Sequence, residues 1–99
     1  MRAVRFTAVF AVNELIAVGA RDALRECGLR IPDDVSMVGF DDLPPAADID
    51  LTTVHVPHEE LGRTAVRLAL NPDPPNAAQH VLLGTHIVVR DSVRHHVEP

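Results

Sequence analysis

Apolar residues fall in short blocks along the chain, and their spacing shifts between strand-like and helix-like periods. Phe6-Thr7-Ala8-Val9-Phe10-Ala11 is a mostly apolar run ending just before a polar residue, and it reads as a buried strand. Asn13 then stands where a helix should begin, a residue type whose side chain accepts from the exposed N–H groups of a first turn. Beyond it, Leu15, Val18, Ala23, Leu24 and Cys27 recur at near-helical spacing with Arg21, Asp22, Arg25 and Glu26 between them, and Gly28 marks the stop. This predicts a helix over residues 13–27, with Cys27 a small core residue. Ile31-Pro32-Asp33-Asp34 reads as a turn, and Val35-Ser36-Met37-Val38-Gly39-Phe40 as a second strand whose near-continuous apolarity suits a parallel strand covered on both faces. Strand, helix and strand in this order make a right-handed βαβ unit.

Asp41-Asp42-Leu43-Pro44-Pro45 is expected to leave the sheet as a loop. Leu51-Thr52-Thr53-Val54 is a short extended piece stopped by Pro57. A second amphipathic helix is predicted over 58–70, burying Leu61, Ala65, Leu68 and Ala69. Asn71-Pro72-Asp73-Pro74-Pro75-Asn76 cannot continue it and is expected as a surface loop. Val81-Leu82-Leu83 and His86-Ile87-Val88-Val89 read as two extended segments, or one strand bent at Gly84. No internal repeat or low-complexity tract interrupts this order. The fold class is therefore α/β. A parallel sheet needs helices on both faces, and two helices with few strands leave an open edge or a bare face. The chain reads as part of a larger α/β domain.

Composition narrows the function classes. The chain has 99 residues, a length that buries roughly 60–65% of its unfolded surface as one small domain or part of one. Apolar residues make up 46% and charged residues 23%, which argues against wholesale disorder. A formal charge of −5 argues against a nucleic-acid surface, and every basic residue is arginine. No apolar run reaches the ~18–20 residues of a membrane span, and Met1-Arg2-Ala3 does not open a proper signal peptide. A single cysteine excludes an internal disulfide and a Cys-based zinc site and fits a reducing cytoplasm. With no Trp, no Tyr and three Phe, a base-stacking platform is not expected.

Ligands of open parallel sheets bind outside the carboxyl ends of the strands. Asn13 follows the first strand there and Asp41, with Asp42, follows the second. An amide and a carboxylate facing one crevice suit a polyhydroxylated ligand, since each can engage paired hydroxyls. Equally, Asn13 reads as a helix cap and Asp41 as a turn residue. Asp41-Asp42 as an acidic pair for Mg²⁺ in phosphoryl transfer would need a further carboxylate and a cationic phosphate partner, and no lysine is present. His55 and His58, beside Glu59 and Glu60, have a metal-like spacing, but Pro57 places them at a strand–helix junction, so structural or solvated histidines are expected. His95-His96 lies in a polar tail where adventitious metal binding is conceivable. No serine belongs to a nucleophile elbow and no glycine-rich phosphate loop occurs. No catalytic site, metal site or cofactor is expected.

The order of segments from Thr7-Ala8-Val9-Phe10-Ala11-Val12-Asn13-Glu14-Leu15-Ile16-Ala17-Val18-Gly19-Ala20, through Gly28-Leu29-Arg30-Ile31-Pro32-Asp33-Asp34-Val35-Ser36-Met37-Val38-Gly39-Phe40-Asp41-Asp42, resembles the lactose/galactose repressor (LacI/GalR) family. Leu51-Thr52-Thr53-Val54, Glu60-Leu61-Gly62-Arg63-Thr64-Ala65 and Val88-Val89-Arg90-Asp91-Ser92 continue the likeness, which covers roughly residues 7–93. It implies the last third of a cytoplasmic bacterial transcription regulator whose periplasmic-binding-protein-like, Rossmann-like sensor has two α/β subdomains. Residues 6–50 would be the βαβ core of the C-terminal subdomain, 51–90 crossover segments plus a helix of the other subdomain, and 91–99 a tail. On that resemblance Asn13 and Asp41 match effector-binding positions, and Val18 and the loop near Ile49 match surfaces that pair a homodimer. The effector would be a sugar or related metabolite. DNA would be reached only through a headpiece absent from this chain, and specific operator binding by this segment alone is not expected. Glu14 stands where the family commonly has Asp, Val56 where it often has Gln, and the loop 43–50 looks shorter than usual. The other readings are a piece of a transport sugar-binding protein and a small phosphoryl-transfer enzyme using Asp41 and Asp42.

Overall fold

Val9 of the first strand pairs with Met37 of the second in parallel, and the rest of the fold is arranged around that pair. A computed structural model describes residues 5–70 and 80–97. Its elements are β1 (Ala8–Phe10), α1 (Glu14–Glu26), β2 (Ser36–Val38), α2 (Pro44–Asp48), β3 (Thr53–His55), α3 (His58–Leu70) and β4 (His86–Val88). β1 and β2 form one parallel pair, and β3 and β4 a separate antiparallel pair with Val54 opposite Ile87. The expected βαβ unit is present. The loop 71–76 lies outside the described residues.

Local chemistry sets the limits of α1. The Asn13 side-chain oxygen accepts from the Ile16 N–H at 2.9 Å, satisfying one of the donors that a first turn leaves open. At the other end Gly28, at φ +76°, takes the left-handed conformation after the last turn. The Leu29 N–H then reaches back to the Leu24 carbonyl, and the Gly28 N–H to that of Arg25, both at 2.9 Å. Replacing Asn13 by Ala should cost about 1 kcal/mol of stability, whereas Asn13→Asp keeps the cap acceptor and should cost less. Urea midpoints of the two variants check this.

The core is small and lies between α1, β2 and the segment through Leu51. Ala11, Ala17, Leu24, Val35, Met37, Ala46 and Leu51 are buried, with Val9, Ala20, Leu29, Ile31 and Ile49 packed against them. Along β2, Val35, Met37 and Gly39 face this core alternately with half-buried neighbours, as a pleated strand requires. Gly39 is needed there: a Cβ would stand 2.6 Å from Leu51 Cδ2. The edge of β2 opposite β1 is covered by irregular chain. Met37 N–H donates to the Ser92 carbonyl and Gly39 N–H to the Thr52 carbonyl, both at 2.9 Å. The Ser92 hydroxyl donates to Met37 O at 2.6 Å and accepts from Thr52 N–H at 2.8 Å. The final segment is thus fastened into the sheet.

Several expectations are corrected. The first strand is shorter than 6–11 and is not buried: Phe10 is 62% exposed, because only one edge of β1 is paired and no described residue covers its outer face. On α1 the buried stripe is Glu14, Ala17 and Leu24, while Leu15 points outward and Cys27 is exposed at the C-cap rather than in the core. The stretch 43–50 is not all loop. Pro44 and Pro45 occupy the first two positions of α2, where a missing N–H costs nothing and a fixed φ suits a helix. α3 has the expected limits, yet none of its residues is buried, and Leu61, Ala65 and Ala69 lie exposed. Only His86–Val88 forms a strand near the end; Val81, Leu82 and Leu83 do not.

The consequence for shape is large. The radius of gyration is 18.5 Å. A compact 100-residue domain has about 13 Å. β3 is bonded to the Asp41 turn, while α3 and much of β4 face solvent.

Candidate functional site

Parallel pairing brings the expected polar residues to one end of the molecule. Phe10 is in register with Val38, and Asn13 and Asp41 each lie three residues beyond, at the carboxyl ends of β1 and β2. Both are half-buried. Asn13 spends its side-chain oxygen on the helix cap, leaving the Nδ2 amide to donate elsewhere. The cap and the ligand-binding reading of this residue are therefore compatible.

Asp41 has φ +106° and Asp42 φ +62°, two successive residues in backbone regions that L side chains rarely occupy. Their conformation is over-determined by neighbours. Asp41 N–H donates to the Val54 carbonyl at 2.9 Å, and Asp41 C=O accepts from Val56 N–H at 3.3 Å, so Asp41 is bridged in parallel to His55. Its carboxylate lies 3.5 Å from His58 Nε2, at the start of α3.

Asp42 is committed to structure. One carboxylate oxygen meets His55 Nδ1 at 2.9 Å and the other meets Arg90 Nη2 at 2.9 Å. Facing an ionised carboxylate, His55 Nδ1 carries the hydrogen. Arg90 also donates from Nη1 to the Leu51 carbonyl at 2.9 Å, and its backbone N–H donates to Thr52 Oγ1. Burial alone would push the Asp42 carboxyl up; the hydrogen bonds from His55 and Arg90, with the attraction of their charges, outweigh it and hold the group below its ordinary value. His55 further stacks against His86 across the β3–β4 pair, with ring centroids 4.9 Å apart.

This arrangement bears on the acidic-pair reading. Both Asp42 oxygens are already engaged, so the pair does not present two open carboxylates to Mg²⁺. Among the described residues no group of three or more His, Cys, Asp or Glu side chains is placed to hold a metal ion. No helix among them is long and apolar enough to cross a membrane. Val18 is half-buried on α1, and Ile49 is the C-cap of α2, packed against the core. A groove of about 570 Å³ lined by Arg21, Arg25, Met37, Ile49 and Ser92 contains neither Asn13 nor Asp41.

Two residues of this region were not singled out as functional from sequence. Glu14 is 1% exposed and accepts hydrogen bonds at one oxygen from Asp42 N–H, Leu43 N–H and Thr53 Oγ1. Its spacing from Ala17 and Leu24 was the available signal, since these three share a helical face. Arg90 had no local signal: its partner Asp42 is 48 positions away.

Residues 1–93 match the family described as periplasmic binding protein-like domain. The chain is 41% identical over 92 residues to the probable HTH-type transcriptional repressor ExuR of Bacillus subtilis, a match covering 89% of this chain and 28% of that protein. An uncharacterized protein from Actinobacillus succinogenes superposes with a TM-score of 0.81 and 40% identity, over 94% of this chain and 35% of that one. A LacI family regulator from Enterococcus faecium, solved with bound ribose, gives a TM-score of 0.79 and 34% identity, over 88% of this chain and 34% of that one. The chain thus spans between a quarter and a third of the length of the curated relatives it matches. With its parallel βαβ core, its polar carboxyl-end edge and these matches, the chain belongs to the periplasmic binding protein-like domain family, in its LacI/GalR regulator branch.

Proposed function

We propose that this chain is an effector-sensing and dimerisation segment of a cytoplasmic LacI/GalR-type DNA-binding regulator, and that it performs no catalysis. Asn13 and Asp41 contact a small sugar-like molecule from one wall of a cleft. The surfaces carrying Val18 and Ile49 pair two protomers. Residues 6–50 form the ligand-bearing core, and 51–90 lead to and from a second subdomain, followed by the tail 91–99.

The observation that carries this reading is the placement of Asn13 and Asp41 at equivalent steps beyond two paired parallel strands. An amide donor and a carboxylate acceptor at the same end of two paired strands match the alternating donors and acceptors of a polyol. The ribose-bound relative supports the ligand class. A reading as part of a transport protein has less support, because the curated relatives are named as repressors.

One wall buries little of a ligand, so binding should be weak, with Kd about 1 mM or above. The test is titration of the ¹⁵N-labelled chain with D-ribose. Shifts confined to Asn13, Asp41 and the segment 53–56 bonded beside Asp41 and Glu14, and abolished by Asp41→Ala, are expected. Shifts elsewhere, or shifts that survive Asp41→Ala, would overturn the assignment.

A further inference from the structure

Glu14 is a buried acid that neither the cap nor the proposed ligand contacts use. It immediately follows Asn13 at the start of α1, and it is 1% exposed. Such burial is costly unless the group is hydrogen-bonded. Here one oxygen, Oε1, receives all three bonds: from Asp42 N–H, from Leu43 N–H at 3.3 Å and from the Thr53 hydroxyl at 3.2 Å. The second oxygen, Oε2, is buried with no hydrogen-bond partner among the described residues.

The backbone explains why an acid is placed there. Positive φ at Asp41 and Asp42 turns two successive N–H groups toward one point. Consecutive N–H groups arranged in this way form a concavity that favours an anion. Glu14 fills it from within the protein. A residue held at such a φ persists only when its surroundings over-determine it. Without Glu14 the Asp42 and Leu43 N–H groups would have no acceptor among the described residues.

The third bond reaches further. Thr53 is fully buried and opens β3, the strand that leads toward α3. Glu14 therefore joins three elements: the first turn of α1 beside Asn13, the turn that carries Asp41, and the first residue of β3. We infer that Glu14 is the positioning residue of this edge: its buried carboxylate holds the Asp41–Asp42 turn in its positive-φ form and ties that turn to β3. The holding role stands on the backbone geometry alone. Its consequence for ligand, that movement of Asp41 on binding is passed to β3, rests on the function proposed above.

The ¹⁵N-labelled full chain tests both parts. Glu14→Gln keeps shape and one acceptor oxygen but removes the charge, so Asp42 and Leu43 amide exchange should accelerate about tenfold, the effect of weakening hydrogen bonds to a charged group. Leu24 and Met37 amides, held by α1 and β2, should keep their wild-type rates. Three-bond HN–Hα couplings of Asp41 and Asp42 should move away from their positive-φ values. Glu14→Leu should enlarge each effect. If that variant does not fold, the Gln variant decides.

Wild-type exchange rates at Asp42 and Leu43 in Glu14→Gln would overturn the inference. So would acceleration shared equally by Leu24 and Met37, which marks general destabilisation. With D-ribose, the wild-type shift at Thr53 should disappear in Glu14→Gln while any residual shift at Asn13 persists. Persistence of the Thr53 shift would overturn the coupling. A wild-type chain silent to ribose at both Asn13 and Asp41 would count against the proposed function, and the exchange rates would still decide the role of Glu14.

Discussion

Truncating Met37 to alanine should lower the stability of this chain by about 2–5 kcal/mol, the range for deleting a buried side chain of that size. Met37 is 1% exposed and sits at the centre of β2. Its own N–H and C=O are both bonded to Ser92, while the flanking Ser36 and Val38 are bonded on the β1 side. Neighbours so fixed cannot collapse into the space left behind, which places the cost toward the upper part of the range. Small domains retain only about 5–15 kcal/mol in total. The urea midpoint of Met37→Ala should therefore fall steeply, or the native baseline should disappear. Phe10→Ala supplies the contrast. Phe10 is larger, yet it is mostly exposed on β1, so its loss should cost under about 1 kcal/mol. Equal losses for the two variants would show that the core is not where the burial pattern puts it.

That contrast also shows what the sequence could and could not reveal. Both long helices were legible because their ends carry local chemistry: Asn13 and Gly28 bound α1, and Pro57 precedes α3. The strand pair was legible from two apolar runs separated by one helix. Which apolar residues are covered was not legible, since hydrophobic character does not by itself place a residue inside. Leu15 looked like core and faces out, whereas Glu14, which no apolar pattern marks, is buried. Pro44-Pro45 was read as a break, though the same residues are suited to a first helical turn. The placement of Asn13 and Asp41 beyond the paired strands was legible because strand ends are predictable. Their supports were not. Glu14, Thr53 and Arg90 act through contacts spanning 28 to 48 positions, which no local pattern encodes.

Replacing Arg90 by alanine should be the second most damaging change, and its effect should depend on pH. Arg90 ties the final segment to Asp42 and to the Leu51 carbonyl, and both side chains of the ion pair are largely shielded from solvent. Losing hydrogen bonds to a charged group typically costs about 1.5–3 kcal/mol. Part of that cost is the Asp42 carboxylate left half-desolvated with only His55 as a partner. In the wild type the folded-state pKa of Asp42 lies below its unfolded value. Its stabilising contribution is therefore complete above the unfolded carboxyl pKa, near 3.9, and is lost as pH falls through the lower folded-state value. Removing Arg90 leaves burial, which raises the carboxyl, opposed by His55 alone. The Asp42-linked loss should then begin at higher pH in Arg90→Ala than in wild type. Acid titrations of stability for both proteins would read this directly. Asp42→Asn should flatten that part of the profile in either background, and the double variant should cost less than the sum of the singles because the two residues share one interaction. An exposed control, Arg94→Ala, removes a bond to the Asp33 carbonyl and a minor attraction for Asp34, and should leave the Asp42-linked part of the acid limb unchanged. Identical acid limbs for wild type and Arg90→Ala would mean that Arg90 anchors the chain through the Leu51 carbonyl alone and that its charge on Asp42 contributes nothing measurable.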